Sequence, residues 1–406
     1  MAVGSDRFPS MPALAGIRLG TARAGLRSGP GDDLAVIELT PDSVAAAVFT
    51  RNAFCAAPVT VAKRHLKVSP SPRWLLINAG NANAGTGQQG IEDALATCRA
   101  LSDLTQGQPT QILPFSTGVI GEPLPVEKIT AALPQALTSL SPQNWENAAR
   151  AIMTTDTRPK GAVAKVTIGG KAVTIAGIAK GAGMIAPNMA TMLAFIGTDA
   201  KAAPATLQSL LQTCVGDTFN AITVDGDTST NDACILMATG QANNPTLDAS
   251  HPDLDAFRHA LHEVCAQLAQ AIVRDGEGAT KLMRIKVTEA KNETEARQVA
   301  FTVANSPLVK TAFFAGDPNW GRILAAVGRA GIDQMVIDDI RIWLDEICIV
   351  SGGGRNPDYT ETQGQQVMAQ DEITVTIALG RGQTQTQVLT CDLSYDYVRI
   401  NAEYRT

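Results

Sequence analysis

Apolar residues in this chain come in short runs separated by turns, and the runs alternate between strand-like and helix-like spacing. Residues 34–39 (LAVIEL), 44–49 (VAAAVF) and 74–78 (WLLIN) are apolar at consecutive positions, which predicts strands buried on both faces. Residues 91–104 and 125–139 carry helical spacing. Two further strands, 163–168 and 172–177, are joined by Gly169-Gly170, a hairpin signal. Residues 191–197 (TMLAFIG) predict another buried strand. The clearest helix starts near Asp253, where Leu254, Phe257, Leu261, Cys265, Leu268 and Ile272 form one stripe and Gly276 supplies a stop. The pattern restarts at Lys281 with a strand over 282–288. This predicts a layered α/β protein with mostly antiparallel sheets, divided into a larger unit, 1–280, and a smaller one, 281–406.

Length and charge narrow the function classes. A chain of 406 residues is too long for one ordinary core. Aromatic residues are 4% of the chain and the net charge is -6, so a base-stacking or phosphate-binding nucleic-acid surface is not expected. The seven cysteines are scattered with no CxxC, which reads as free thiols in a reducing compartment. No apolar run approaches the roughly 20 residues of a membrane span. Arg7, Arg18, Arg23 and Arg27, opposed by Asp6, give the first segment a transit-peptide-like composition. It lacks an amphipathic run, and a cytoplasmic location is expected.

The four histidines, His65, His251, His259 and His262, exclude more than they suggest. There is no HExxH, no HxxxH and no cysteine cluster, so no metal site is expected. No GxSxG elbow supports a serine triad. The stretch Gly80–Gly87 follows a strand but lacks both the P-loop ending and the dinucleotide spacing, which leaves a tight turn. Gly316–Arg322 likewise reads as a turn.

Segment 180–191, KGAGMIAPNMAT, is the informative one. An irregular Gly/Pro/Asn loop runs into a buried strand whose first residue is Thr191. A threonine hydroxyl there can attack the preceding Ala190 carbonyl if the loop holds that peptide strained. An N→O acyl shift gives an ester, and water then frees a new N-terminus. The α-amine of Thr191, with a reference pKa of about 7.7–8.0, would then serve as a built-in base beside the hydroxyl. Such a nucleophile needs no histidine.

This loop strongly resembles the self-cleaving segment of the ornithine acetyltransferases, the bifunctional glutamate N-acetyltransferases of arginine biosynthesis. The resemblance extends over nearly the whole chain. It includes Asn81–Ala84, Ser116–Gly121, Met153–Thr157, Asp275–Lys281, Asp317–Arg322 and the tail Asn401–Thr406. One departure is visible: Ala182 stands where members more often have Ser.

The resemblance implies that Ala190–Thr191 is the scissile bond and Thr191 the nucleophile. Thr117, through its hydroxyl, and Gly118, through its backbone N–H, would form the oxyanion hole. Thr154, Lys180, Thr191, Glu277, Asn401 and Thr406 would bind substrate. The implied reaction is ping-pong. N-acetylornithine acetylates Thr191, ornithine leaves and glutamate takes the acetyl group, with acetyl-CoA a further donor in bifunctional members. No cofactor is implied, because the acyl group rides on the protein. The implied fold is an αββα sandwich like that of the N-terminal-nucleophile hydrolases with different connectivity. Its mature form would be an α chain (1–190) and a β chain (191–406) that pair and dimerise. Two alternatives are a related self-cleaving aminopeptidase, which would pass the acyl group to water, and a non-enzymatic ligand-binding protein.

Overall fold

The computed structural model describes residues 3–4, 7–186 and 192–403. Within these, three sheets account for the strands. The first has four strands in the order Ile17–Ala22, Leu34–Leu39, Trp74–Asn81, Ile112–Val119. The second has five, in the order Val44–Phe49, Ala233–Ala238, Leu193–Thr198, Lys171–Lys180, Lys160–Ile168. Each has a single parallel pairing: Trp74–Asn81 with Ile112–Val119, and Leu193–Thr198 with Ala233–Ala238. The expectation of mostly antiparallel sheets is met.

The consecutive apolar residues of these strands serve two cores at once, because alternate side chains leave opposite faces of a sheet. In the first sheet Ala35, Ile37, Leu75, Ile77, Leu113 and Phe115 face Ile178, Phe195, Ile235 and Met237 of the second. Phe115 and Phe195 meet edge to face at 5.1 Å between ring centroids, a contact of about 0.5–1.5 kcal/mol beyond its buried area. The intervening residues Leu34, Val36, Leu76 and Ile112 turn the other way, onto Leu101, Ile129 and Leu133 of helices Gly87–Thr105 and Val126–Thr138. On the far side, Ile175, Ile196 and Leu236 pack under helices Pro204–Asp217 and Leu254–Arg274. The result is the expected helix–sheet–sheet–helix layering.

The helix predicted from Asp253 is Leu254–Arg274, with Phe257, Leu261, Cys265, Leu268 and Ile272 buried. The Gly169-Gly170 hairpin is present with both glycines at positive φ, 54° and 76°, as a tight two-residue turn requires. The strand predicted over 191–197 is observed as Leu193–Thr198, and Thr191 lies outside the described residues. The third sheet is built from Leu282–Ala290, flanked by Glu372–Ala378 and Thr384–Cys391, with three short strands beyond. Its core, which includes Ile285, Val299, Val303 and Ile323, is separate from the three described above. Leu282 and Cys391 reach into the core beneath Leu254–Arg274.

Candidate active site

Two strands, one from each facing sheet, end at the same place. Ile112–Val119 brings Thr117 and Gly118 to its last turn, and Lys171–Lys180 ends on Lys180. The Lys180 Nζ donates to Thr117 Oγ1 at 3.1 Å, joining the sheets at the rim of a cleft of about 320 Å³. Thr117, Gly118, Thr154, Lys180, Glu277 and Asn401, six of the residues expected at the site, line this cleft. Ala190, Thr191 and Thr406 lie outside the described residues.

Gly118 is required by its surroundings. Its φ is 135°, and an added Cβ would sit 2.2 Å from the Gly80 carbonyl carbon. Only glycine adopts this conformation at so close an approach. Because Lys180 occupies a lone pair of Thr117 Oγ1, the hydroxyl proton remains to be donated elsewhere. Charge-assisted donation into a hydroxyl strengthens its own donation onward.

Lys180 is buried. Burial pushes its ammonium below the usual lysine value, while Asp156, Asp232 and Glu277 act in the opposite direction. Asp156 belongs to a buried cluster that holds three segments together. The Lys160 Nζ donates to Asp156 Oδ1 and to Asp275 Oδ2, each at 2.6 Å, and all three side chains are buried. Asp156 also accepts the N–H of Gly181 at 2.7 Å and of Thr154 at 3.1 Å. Asp275 accepts the N–H of Thr157 at 3.0 Å. Burial raises the Asp156 carboxyl, but Lys160 and Lys180 together with the Gly181 N–H hold it well below the ordinary range. Losing one member of such a cluster typically costs about 3–5 kcal/mol. The segments carrying Thr154, Lys180 and Glu277 are thus fixed to one another from behind.

The loop after Lys180 is tied down as far as it is described. The Glu277 N–H donates to the Ala182 carbonyl at 2.8 Å, so the Ala that replaces the more usual Ser still supplies its backbone contact. Gly183 lies against Glu277, whose carboxyl carbon would be 2.4 Å from an added Cβ. Asp225 accepts from Met184 N at 2.6 Å and from Ile185 N at 3.0 Å. Burial raises the Asp225 carboxyl. Asp225, Asp227 and Glu277 face the same cleft as Lys180, so it offers both signs of charge to a zwitterion.

The tail reaches the cleft as helix Tyr395–Ala402. The Asn401 Nδ2 donates to Glu277 Oε2 at 2.7 Å, and the Tyr397 hydroxyl to Asp225 Oδ2 at 3.4 Å. The Ser394 hydroxyl donates to the Gly278 carbonyl at 2.6 Å. The expectation that apolar groups on Tyr397, Val398, Ile400 and Tyr404 anchor the tail needs correction at Val398. Val398 is 64% exposed, Tyr397 and Ile400 are half-buried, and Tyr404 lies outside the described residues. Hydrogen bonds at the charged rim of the cleft hold the inner face of this helix, and Tyr395 meets the Phe314 ring edge to face at 5.5 Å between centroids.

Pattern reading missed Asp156 and Asp275 as a paired cluster, and missed Asp225, Asp227, Asn231 and Asp232 altogether. A polar run, Asp225–Asp232, immediately before the apolar strand Ala233–Ala238 was the available signal. His65 is buried, with Nδ1 2.7 Å from the Ile112 carbonyl, and has a structural place away from the cleft. Among the described residues no group of His, Cys, Asp and Glu is arranged to hold a metal ion, and no helix is long and apolar enough to cross a membrane.

Comparison with known proteins adds independent findings. The model of the ArgJ family matches residues 18–406. The arginine biosynthesis bifunctional protein ArgJ of Methylococcus capsulatus is 60% identical over 393 residues, covering 97% of this chain and 96% of its own. The protein of the same name from Pseudomonas fluorescens is 53% identical over 407 residues and the whole of both chains. A crystal structure of the Bacillus halodurans protein of that name is 42% identical, covers 51% of this chain and 96% of its own, and has a TM-score of 0.49.

Proposed function

The chain belongs to the ArgJ family, acetyltransferases of arginine biosynthesis, and we propose that it cuts itself at Ala190–Thr191 and carries acetyl groups on Thr191. The observation that carries this reading is the Lys180–Thr117 hydrogen bond, made in a charged cleft where the strand Leu193–Thr198 begins beside Lys180. The donor is N-acetylornithine and the acceptor glutamate, with acetyl-CoA as a second donor. Thr117 and Gly118 stabilise the tetrahedral oxyanion. Lys180 holds the substrate α-carboxylate as a point charge, Thr154 and Thr406 hydrogen-bond to substrate, and Glu277 with Asn401 faces the ammonium side. The acyl group needs no cofactor, since it is stored as an ester on the protein. Residues 1–280 form the catalytic unit and 281–406 the smaller one. Two α and two β chains assemble in the cytoplasm. Family membership favours transfer over the hydrolysis expected of a related aminopeptidase.

A ping-pong route predicts parallel double-reciprocal lines when N-acetylornithine and glutamate are varied. It also predicts an acetyl group trapped on the peptide that begins at Thr191, visible by mass spectrometry after a quench without glutamate. Intersecting lines with no modified Thr191 peptide would establish direct transfer instead.

The tail provides a second check. Chain ends are usually dispensable, whereas Asn401 here contacts Glu277. A chain ending at Ile400 is expected to cut itself normally and to show a KM for N-acetylornithine raised about tenfold or more, the pattern of a lost binding contact. Steady-state kinetics that match the intact chain would remove Asn401 and Thr406 from the site.

A further inference from the structure

Thr117 and Gly118 sit where their own sheet holds them least. Strands Trp74–Asn81 and Ile112–Val119 pair in register from Trp74 with Ile112 as far as Gly80 with Gly118, and the register shifts at Asn81. Such a shift interrupts the ladder locally and leaves the strand end with fewer constraints. Donors to an oxyanion must nevertheless be held in place before the charge forms. The opposite sheet supplies what the ladder does not.

Asn231 stands two residues before strand Ala233–Ala238, lines the cleft and is 6% exposed. Its Nδ2 donates to the Ser116 carbonyl at 2.9 Å and to the Ala82 carbonyl at 2.7 Å. Ser116 directly precedes Thr117. The Ala82 N–H in turn donates to the Val119 carbonyl at 2.9 Å, just past Gly118. One amide therefore grips the donor pair from both ends, directly before it and through Ala82 after it. Two carbonyl acceptors fix which end of the amide is nitrogen, and its oxygen accepts from the Thr230 hydroxyl. Both amide protons are used on backbone, so Asn231 has none to give a substrate.

The segment that carries this amide is itself anchored. The Asn231 N–H donates to Ser229 Oγ at 3.0 Å. The Ala56 N–H donates to the Thr230 carbonyl and the Thr50 N–H to the Asp232 carbonyl, each at 3.0 Å. A side chain held this way transmits the position of one sheet to a short stretch of the other.

We infer that Asn231 is a positioning residue for acetyl transfer, an inference that rests on the reading of Thr117 and Gly118 as the oxyanion donors. It fixes the direction of the Thr117 hydroxyl and the Gly118 N–H without touching substrate. Misplacing such groups by about 1 Å costs up to about 10²-fold in rate.

The test compares wild type, Asn231→Ala, Asn231→Asp and Thr117→Ala in acetyl transfer from N-acetylornithine to glutamate. Rates are counted per cleaved chain on denaturing gels, and melting is measured on the same samples. Asn231→Ala should lower kcat by about 10–10²-fold and leave KM for N-acetylornithine within about threefold of wild type, the pattern of an interaction made only in the transition state. Asn231→Asp keeps the volume but turns oxygen toward both carbonyls, so it should lose at least as much. Wild-type kcat in both Asn231 variants, beside a slow Thr117→Ala, would overturn the inference and leave the oxyanion donors standing. A raised KM with unchanged kcat would overturn it in favour of a substrate contact. Losses that only follow the unfolded fraction seen in melting would overturn it as a structural role. Wild-type kcat in Thr117→Ala would strike at the oxyanion reading itself, and at this inference with it.

Discussion

Replacing Thr191 by alanine is expected to leave the protein as one uncut, inactive chain. Wild-type protein should run as two fragments, residues 1–190 and 191–406, which by length divide the 42.5 kDa into roughly 20 and 23 kDa. The second fragment should begin with Thr191 on N-terminal sequencing. Both outcomes follow from one atom of the proposed mechanism: the hydroxyl that would attack the Ala190 carbonyl is the same hydroxyl that would later receive the acetyl group. The effect is absolute, because no other hydroxyl is joined to that peptide. In the proposed mechanism the freed α-amine also matters, since in its neutral form it would accept the hydroxyl proton during transfer. The low-pH limb of transfer should therefore stay in place when any of the four histidines is replaced. A wild-type chain that stays intact yet transfers acetyl groups would end the mechanism.

Removing the Thr117 hydroxyl is expected to lower kcat by about 10²–10³-fold, or roughly 2.7–4 kcal/mol, the usual cost of one oxyanion donor. The same substitution, Thr117→Ala, should slow self-cleavage, because in the proposed mechanism cleavage and transfer both pass through a tetrahedral oxyanion at the Thr191 oxygen. The local geometry explains why a hydroxyl is needed. Lys180 Nζ donates to Thr117 Oγ1, which leaves the hydroxyl proton for the substrate side. Thr117→Ser keeps that arrangement and should retain most activity in both assays. If Thr117→Ala cleaves and transfers normally, Thr117 is a strand residue that happens to lie at the cleft.

The charges around the cleft divide into two functions that a residue count does not separate. Asp156, Lys160 and Asp275 lie behind it, with paired oxygens and backbone partners, and fix its walls. Lys180, Asp227 and Glu277 line it. Asp225 does both, since it clamps Met184 and Ile185 while accepting from Tyr397 at the rim.

Much of the layering was legible in the chain itself. Strands such as Leu34–Leu39 and Leu193–Thr198 are apolar at every second position twice over, which requires cover on both faces. The helix Leu254–Arg274 shows one stripe because it has one buried face. Thr117, Gly118, Lys180 and Glu277 were also named from sequence, but from resemblance: taken singly, each is an ordinary turn or strand-end residue. Their meeting point was decided by tertiary structure. Thr117 and Lys180 are 63 residues apart on different sheets and touch because those sheets face each other. The same holds for Asp156 and Asp275, whose pairing through Lys160 is a contact of long sequence separation with no periodic trace. Asp232 shows the limit most plainly. Local pattern marks it as a polar residue before a strand, and only the register of that strand beside Leu193 brings its carboxyl to the Met192 N–H.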